Sequence, residues 1–265
     1  MCGICIAALL VIGSISCCIT ITAHTILAKM PTAPASTLWI FRQPLFAYNN
    51  YAVMAGLTSF PLVAFLMLLC VFFLFEKTHA LEISFFSLFI FSLSAETLQL
   101  LFPLQMIYPI LTVFSAPIAR LIFFFRFWAC LSLLTASLFA HKTFTRETGA
   151  VIFLLSFMSF ALAHTIPIDT AGTLSFFSFS ESYRSLLYSF NGIIYTLAVL
   201  SFLFVGIFRS IPEYRKAALR LLAILIAHAT LLYSGSWFFI AISIAVLIIG
   251  SFFFLKAIHR FYLWQ

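Results

Sequence analysis

Residues 81–101 read Leu-Glu-Ile-Ser-Phe-Phe-Ser-Leu-Phe-Ile-Phe-Ser-Leu-Ser-Ala-Glu-Thr-Leu-Gln-Leu-Leu. This apolar run is as long as the roughly 20 residues that cross a bilayer as a helix. It also carries Ser92, Glu96 and Gln99 at i, i+4 and i+7, which places them on one helical face. A carboxylate in hydrocarbon costs about 2.5–3.5 kcal/mol on insertion scales, so that face turns towards other helices and away from lipid.

Runs of the same kind fill the rest of the chain. Of its 265 residues 64% are hydrophobic and only 8% charged, with a mean hydropathy of +1.18, whereas soluble domains carry about 25% charged residues. Spans are predicted at 4–27, 52–75, 81–101, 117–140, 148–168, 186–208, 217–233 and 237–257. Lipid offers the backbone no hydrogen bonds, so these spans are helices. The fold class is an all-α polytopic helix bundle of about eight transmembrane helices in a single domain, with no room left for a soluble one. Ser14-Ile15-Ser16-Cys17 resembles a poor lipoprotein cleavage site, and cutting there would leave seven spans. No basic residue precedes the first run, however, which favours its retention.

Loop charges orient the bundle. Lys77, Lys142, Arg146, Arg209, Arg215, Lys216, Arg220, Lys256 and Arg260 fall on one side, against Lys29, Arg42 and Arg184 on the other. The positive-inside rule then makes both termini cytoplasmic, in a plasma or bacterial inner membrane. The net charge of +7 is spread through short loops, so the partner it implies is the lipid bilayer and not nucleic acid. Among the six cysteines, Cys2 and Cys5 make a lone CxxC without a second pair, and the others lie in apolar runs.

The connections differ in character. Residues 28–51 hold Pro31, Pro34 and Pro44 and read as a partly ordered external segment. Residues 102–116 are too apolar for a solvated loop and too proline-rich for one helix, which fits a short re-entrant or interfacial piece. Residues 169–185 read as an external cap.

Placed by depth, the polar side chains gather in the outer half: His24, Glu96, Gln99, Arg120, Arg126, His164, Asn191 and His228, with Asp169 capping the outer end of its span. Nothing comparable is expected in the inner halves. Arg126 is the expected partner of Glu96, because it sits at similar depth on the next antiparallel span and shares a face with the small residues Ala119, Cys130 and Ser137. Arg120 points elsewhere on that helix and should snorkel to the headgroups. The pair is either a register-fixing contact or a charged anchor for a ligand. His24, His164 and His228 form a candidate proton relay or open metal site, although no HxxxH or HExxH spacing supports a metal, and no cofactor is predicted. Ala223 with Ala227, and Ala241 with Ala245, read as close-packing faces.

The leading functional expectation is a small-molecule binder or transporter with an outward-facing polar cavity. The alternatives are a seven-helix receptor-like sensor, or a subunit of a larger membrane complex that meets another subunit or a signalling partner. An intramembrane enzyme at the outer leaflet ranks last, because no catalytic motif is recognisable.

Overall fold

The structure is a computed structural model, which describes residues 13, 45–75, 80–104, 109–140, 148–175, 178–181, 184–233 and 235–263. Its long helices are α1 (Asn50–Phe75), α2 (Leu81–Ser94), α3 (Ser115–Leu138), α4 (Thr148–Thr165), α5 (Arg184–Phe208), α6 (Pro212–Tyr233) and α7 (Trp237–Leu263). Among the described residues, six segments are long and apolar enough to cross a membrane: Asn50–Phe75, Leu81–Pro103, Thr112–Leu138, Thr148–Thr165, Ser189–Phe208 and Trp237–Tyr262. Helix α6 is as long as these, but its first three turns carry Glu213, Arg215, Lys216 and Arg220. The expected spans from 52–75 onwards each meet one of these helices; the span at 4–27 and His24 lie outside the described residues.

Six helices close into a ring in the order α1, α2, α3, α5, α6, α7 and back to α1, while α4 packs outside it against α3. The ring's two ends differ. Arg209, Arg215, Lys216, Arg220, Lys256 and Arg260 stand where α1, α3, α5 and α7 finish and α2 and α6 begin; this is called the basic end below. Inside the ring near that end, Phe86, Phe202, Phe254 and Tyr214 are fully buried. Their rings form a chain, with centroids 4.6 Å apart for Phe86–Phe254, 5.8 Å for Phe202–Phe254 and 6.1 Å for Phe202–Tyr214. This aromatic plug fills the basic half of the ring.

A buried carboxylate adjoins the plug and corrects the expectation that ionisable groups avoid this half. Glu82, in the first turn of α2, is 1% exposed and accepts a 2.9 Å hydrogen bond from the Tyr214 hydroxyl. In the sequence Glu82 looks like a flanking loop charge. The ring closes over it because α6 brings Tyr214 against the start of α2.

At the other end α2 changes character. Residues Ala95–Leu100 form a 3₁₀ segment, followed by a helical turn at Leu101–Leu104. Pro103 lacks an N–H for the Gln99 carbonyl and its ring crowds that turn, so regular α geometry cannot pass through this point. A second proline meets the same segment. Pro61 inside α1 cannot donate to the carbonyl of Leu57, four residues earlier, and the Thr97 hydroxyl donates to that carbonyl instead, at 3.1 Å. Both residues are buried. Thr97→Val is therefore expected to orphan a buried carbonyl and lower stability by about 1–3 kcal/mol. Thermal unfolding in detergent should show the loss in the wild-type background and little of it in Pro61→Ala, where residue 61 regains its N–H. An equal loss in both backgrounds would remove Leu57 from the explanation.

The pieces around 102–116 are short. A 3₁₀ segment covers Pro109–Phe114, and Val113 and Phe114 are exposed. The stretch expected as an external cap adds a two-stranded antiparallel hairpin to the helices: β1 (Ile168–Ser175) and β2 (Ser178–Glu181), with Ile168 opposite Glu181 and Asp169 opposite Ser180. Ile168 packs against the cluster of Ala119, Phe123 and Phe127 at the start of α3, seating the hairpin there.

Helices α6 and α7 make the most extensive contact and form a hairpin, with Gly235 and Ser236 in the turn between them. Residues 45–49 lie across that turn. The Asn49 amide donates to the Gly235 carbonyl at 2.8 Å, and the Phe238 amide to the Leu45 carbonyl at 3.2 Å. The Ala241/Ala245 face does not serve this packing, since both alanines are exposed. The helices meet instead through a 2.6 Å hydroxyl contact between Thr230 and Ser243, and at Gly250, where a Cβ would stand 3.1 Å from Ile224. Small residues permit close approach only on the face the ring turns inwards, and a four-residue spacing does not identify that face.

Candidate functional site

The polar face predicted on α2 reaches the 3₁₀ segment and meets α3. Glu96 is 4% exposed and Arg126 19% exposed. The guanidinium grips the carboxylate with two bonds, from Nε to Oε1 at 2.8 Å and from Nη2 to Oε2 at 2.9 Å. Gln99 Nε2 adds a short donor to Oε2. Two parallel charge-assisted bonds fix both position and orientation, which a lysine could not do. Arg126 also lies 6.0 Å from the Phe123 ring centroid. On its face of α3, Ala119, Cys130 and Ser137 are all buried, as expected for close packing.

This pair forms one wall of a cavity of about 170 Å³ between α2, α3, α5 and α6. Ser92 and Glu96 come from α2 and its 3₁₀ extension, and Arg126 comes from α3. Asn191 and Tyr195 line it from α5, and His228 from α6. Gly192 and Ala229, which also line it, are exposed and mark its mouth. The cavity lies in the half away from the basic end, so the aromatic plug separates the two.

Each wall residue is held differently. The Ser92 hydroxyl is turned back to the Leu88 carbonyl at 2.8 Å. Cys130 Sγ donates to Asn191 Oδ1 at 3.4 Å, which ties α3 to α5 and orients the amide. His228 is 6% exposed and stands among Phe60, Phe89 and Tyr195, with centroid distances of 5.9, 6.3 and 6.4 Å and near-perpendicular rings. Its Nε2 is buried and has no hydrogen-bond partner among the described residues. Such an atom costs about 1–3 kcal/mol compared with a bonded one, and the cost persists unless another group meets it.

The structure therefore joins Glu96, Gln99, Arg126, Asn191 and His228 in one place and leaves the other candidates elsewhere. Arg120 is exposed, which suits the snorkelling expected of it. His164 is exposed on α4, where its Nδ1 lies 3.2 Å from its own helix's Phe160 carbonyl and its ring lies tilted against Phe160 with centroids 4.2 Å apart. Asp169 contributes its backbone to β1. Among the described residues, no group of three or more His, Cys, Asp or Glu side chains is placed to hold a metal ion. Tyr195, a wall residue, is absent from the sequence reading, and Cys130, the anchor of Asn191, enters it only as a small residue beside Arg126. Both were legible only as packing residues, because a tyrosine or a thiol in an apolar run carries no positional signal.

No protein-family model and no solved structure matches the chain. Over 291 aligned positions it is 26% identical to an uncharacterised protein of Treponema pallidum (strain Nichols), covering 91% of this chain and 84% of that one. That likeness extends over most of the helical bundle, and no activity comes with it.

Proposed function

We propose that this chain is a multi-pass membrane protein of eight spans, with both termini cytoplasmic, that binds a small polar solute in the cavity beside Glu96 and Arg126. The gathering of six Lys and Arg residues at one end supports the orientation through the positive-inside rule. On that reading the cavity belongs to the outer half of a plasma or bacterial inner membrane. The observation that carries the function is His228: a buried imidazole on the cavity wall whose Nε2 has no hydrogen-bond partner among the described residues. An imidazole of this kind offers one donor or one acceptor, according to tautomer.

Size and charge narrow the solute. About 170 Å³ falls below the roughly 300–1,000 Å³ of pockets for drug-sized ligands. The formal charges of Glu96 and Arg126 cancel within their own bonds, so recognition falls to hydrogen bonds from the amide and the imidazole. A small, uncharged, hydrogen-bonding molecule fits these walls. Transport would require the aromatic plug to move, whereas binding alone would leave it in place.

Native mass spectrometry of the protein gently extracted from its own membrane tests this reading. The wild type is expected to carry a stoichiometric small molecule. His228→Phe keeps an aromatic ring in the cage and removes the unmet Nε2, so it should stay folded, melt no lower than solute-free wild type, and lose that mass. A wild type without a bound small molecule, or a His228→Phe variant that keeps it, would overturn the proposal.

A further inference from the structure

A second cavity of about 170 Å³ lies at the basic end, between α6 and α7. Lys216 and Arg220 line it from α6 and Lys256 and Arg260 from α7, with Glu213 as the acidic residue among its walls. Four cations and one anion leave a formal +3 facing a single cleft. Ordinary loop charges that orient a membrane protein point outwards into water and need not converge. These converge although they repel one another, and the charge of Arg260 bears on Arg220.

The cleft is built as well as charged. Arg220 lies 5.4 Å from the Phe253 ring centroid and donates Nη1 to the Phe253 carbonyl, while the Lys256 ammonium lies 5.9 Å from the Phe252 ring. Carbonyl and rings hold two of the four cations, Arg220 and Lys256, at the wall. Directly beyond them on the same two helices the surface turns apolar: Phe252, Phe253, Leu219 and Ile249 are all exposed. A ligand that fits both zones has an anionic head for the cleft and hydrocarbon for the face beside it.

We infer that this cleft is a binding site for the phosphodiester headgroup of an anionic phospholipid, whose acyl chains lie along α6 and α7. A basic pocket between helix ends at the cytoplasmic face has the chemistry to hold such a headgroup. The site is separate from the solute cavity and stands or falls independently of it.

The test uses the full chain in nanodiscs containing equal phosphatidylglycerol and phosphatidylcholine, released for native mass spectrometry. Phosphatidylglycerol is expected to remain bound in preference. Lys216→Ala/Lys256→Ala should weaken its retention about 30-fold, each cation contributing about fivefold at a membrane surface. Both lysines are exposed, so the fold should survive, and Lys216→Arg/Lys256→Arg should keep the lipid. Equal retention of the two lipids, or retention unaffected by the alanine pair, would overturn the inference. So would inorganic phosphate that raises the melting temperature as far as phosphatidylglycerol does, since the ligand would then be a free anion.

Discussion

Arg126→Leu is expected to lower the melting temperature and the yield of folded protein sharply, and Glu96→Leu/Arg126→Leu to recover both. The single change leaves a carboxylate 4% exposed with its two strongest bonds gone. Breaking a buried ion pair from one side costs about 3–5 kcal/mol, whereas replacing both partners by apolar groups is often neutral. Against a typical total stability of about 5–15 kcal/mol, a loss of that size removes between about a fifth and all of the margin that keeps the chain folded. Thermal unfolding in detergent and the yield of monodisperse protein measure it. An Arg126→Leu variant as stable as the wild type would show that the pair is not desolvated. The double variant then separates the two meanings of the pair. If it folds and has lost the bound solute, the charges shape the site; if it folds and keeps the solute, they serve register alone.

How far this pair was legible follows from what a sequence can encode. Glu96 and Gln99 share a helical face because helical periodicity is local, and Arg126 falls at the same depth because antiparallel spans of known length fix depth. Both inferences need only a bilayer and a period. The helix bounds from 52–75 onwards were legible for the same reason, to within about six residues.

What could not be read depends on which helices touch. Ring closure brings Tyr214 to Glu82 across more than a hundred residues, and no pattern along α2 announces it. The repair of the Leu57 carbonyl by Thr97 likewise exists only because α1 and the 3₁₀ segment cross at Pro61. The histidines show the limit of depth as a guide. The sequence places His164 and His228 at similar depth, yet α4 packs outside the ring and α6 belongs to it, so one imidazole is exposed and the other is caged by aromatics. Depth says how far along a helix a residue sits, and rotation and neighbour order decide whether it meets anything.

The same distinction gives the second large effect, on two glycines of α5. At Gly206 a Cβ would stand 2.7 Å from the Arg215 backbone nitrogen and 3.1 Å from the Tyr214 carbonyl carbon. Backbone meets backbone there because the link from α5 to α6 is very short, with Ser210 at a φ of 53°. Backbone atoms cannot step aside as a flexible side chain can, so even one methyl must push α6 away. Gly206→Ala is expected to cost about 3 kcal/mol, at the upper end of the roughly 1–3 kcal/mol typical of overpacking. It should also loosen Tyr214, which seals the aromatic plug and bonds Glu82. At Gly192, on the mouth of the solute cavity, a Cβ meets nothing within 4 Å. Gly192→Ala should therefore hold or raise stability, by up to about 1 kcal/mol from the loss of glycine's entropic cost in a helix. Melting temperatures of the two variants, measured side by side, make the test. If Gly206→Ala melts with Gly192→Ala, the close approach of α5 and α6 is wrong, and the plug that separates the solute cavity from the basic end loses its support.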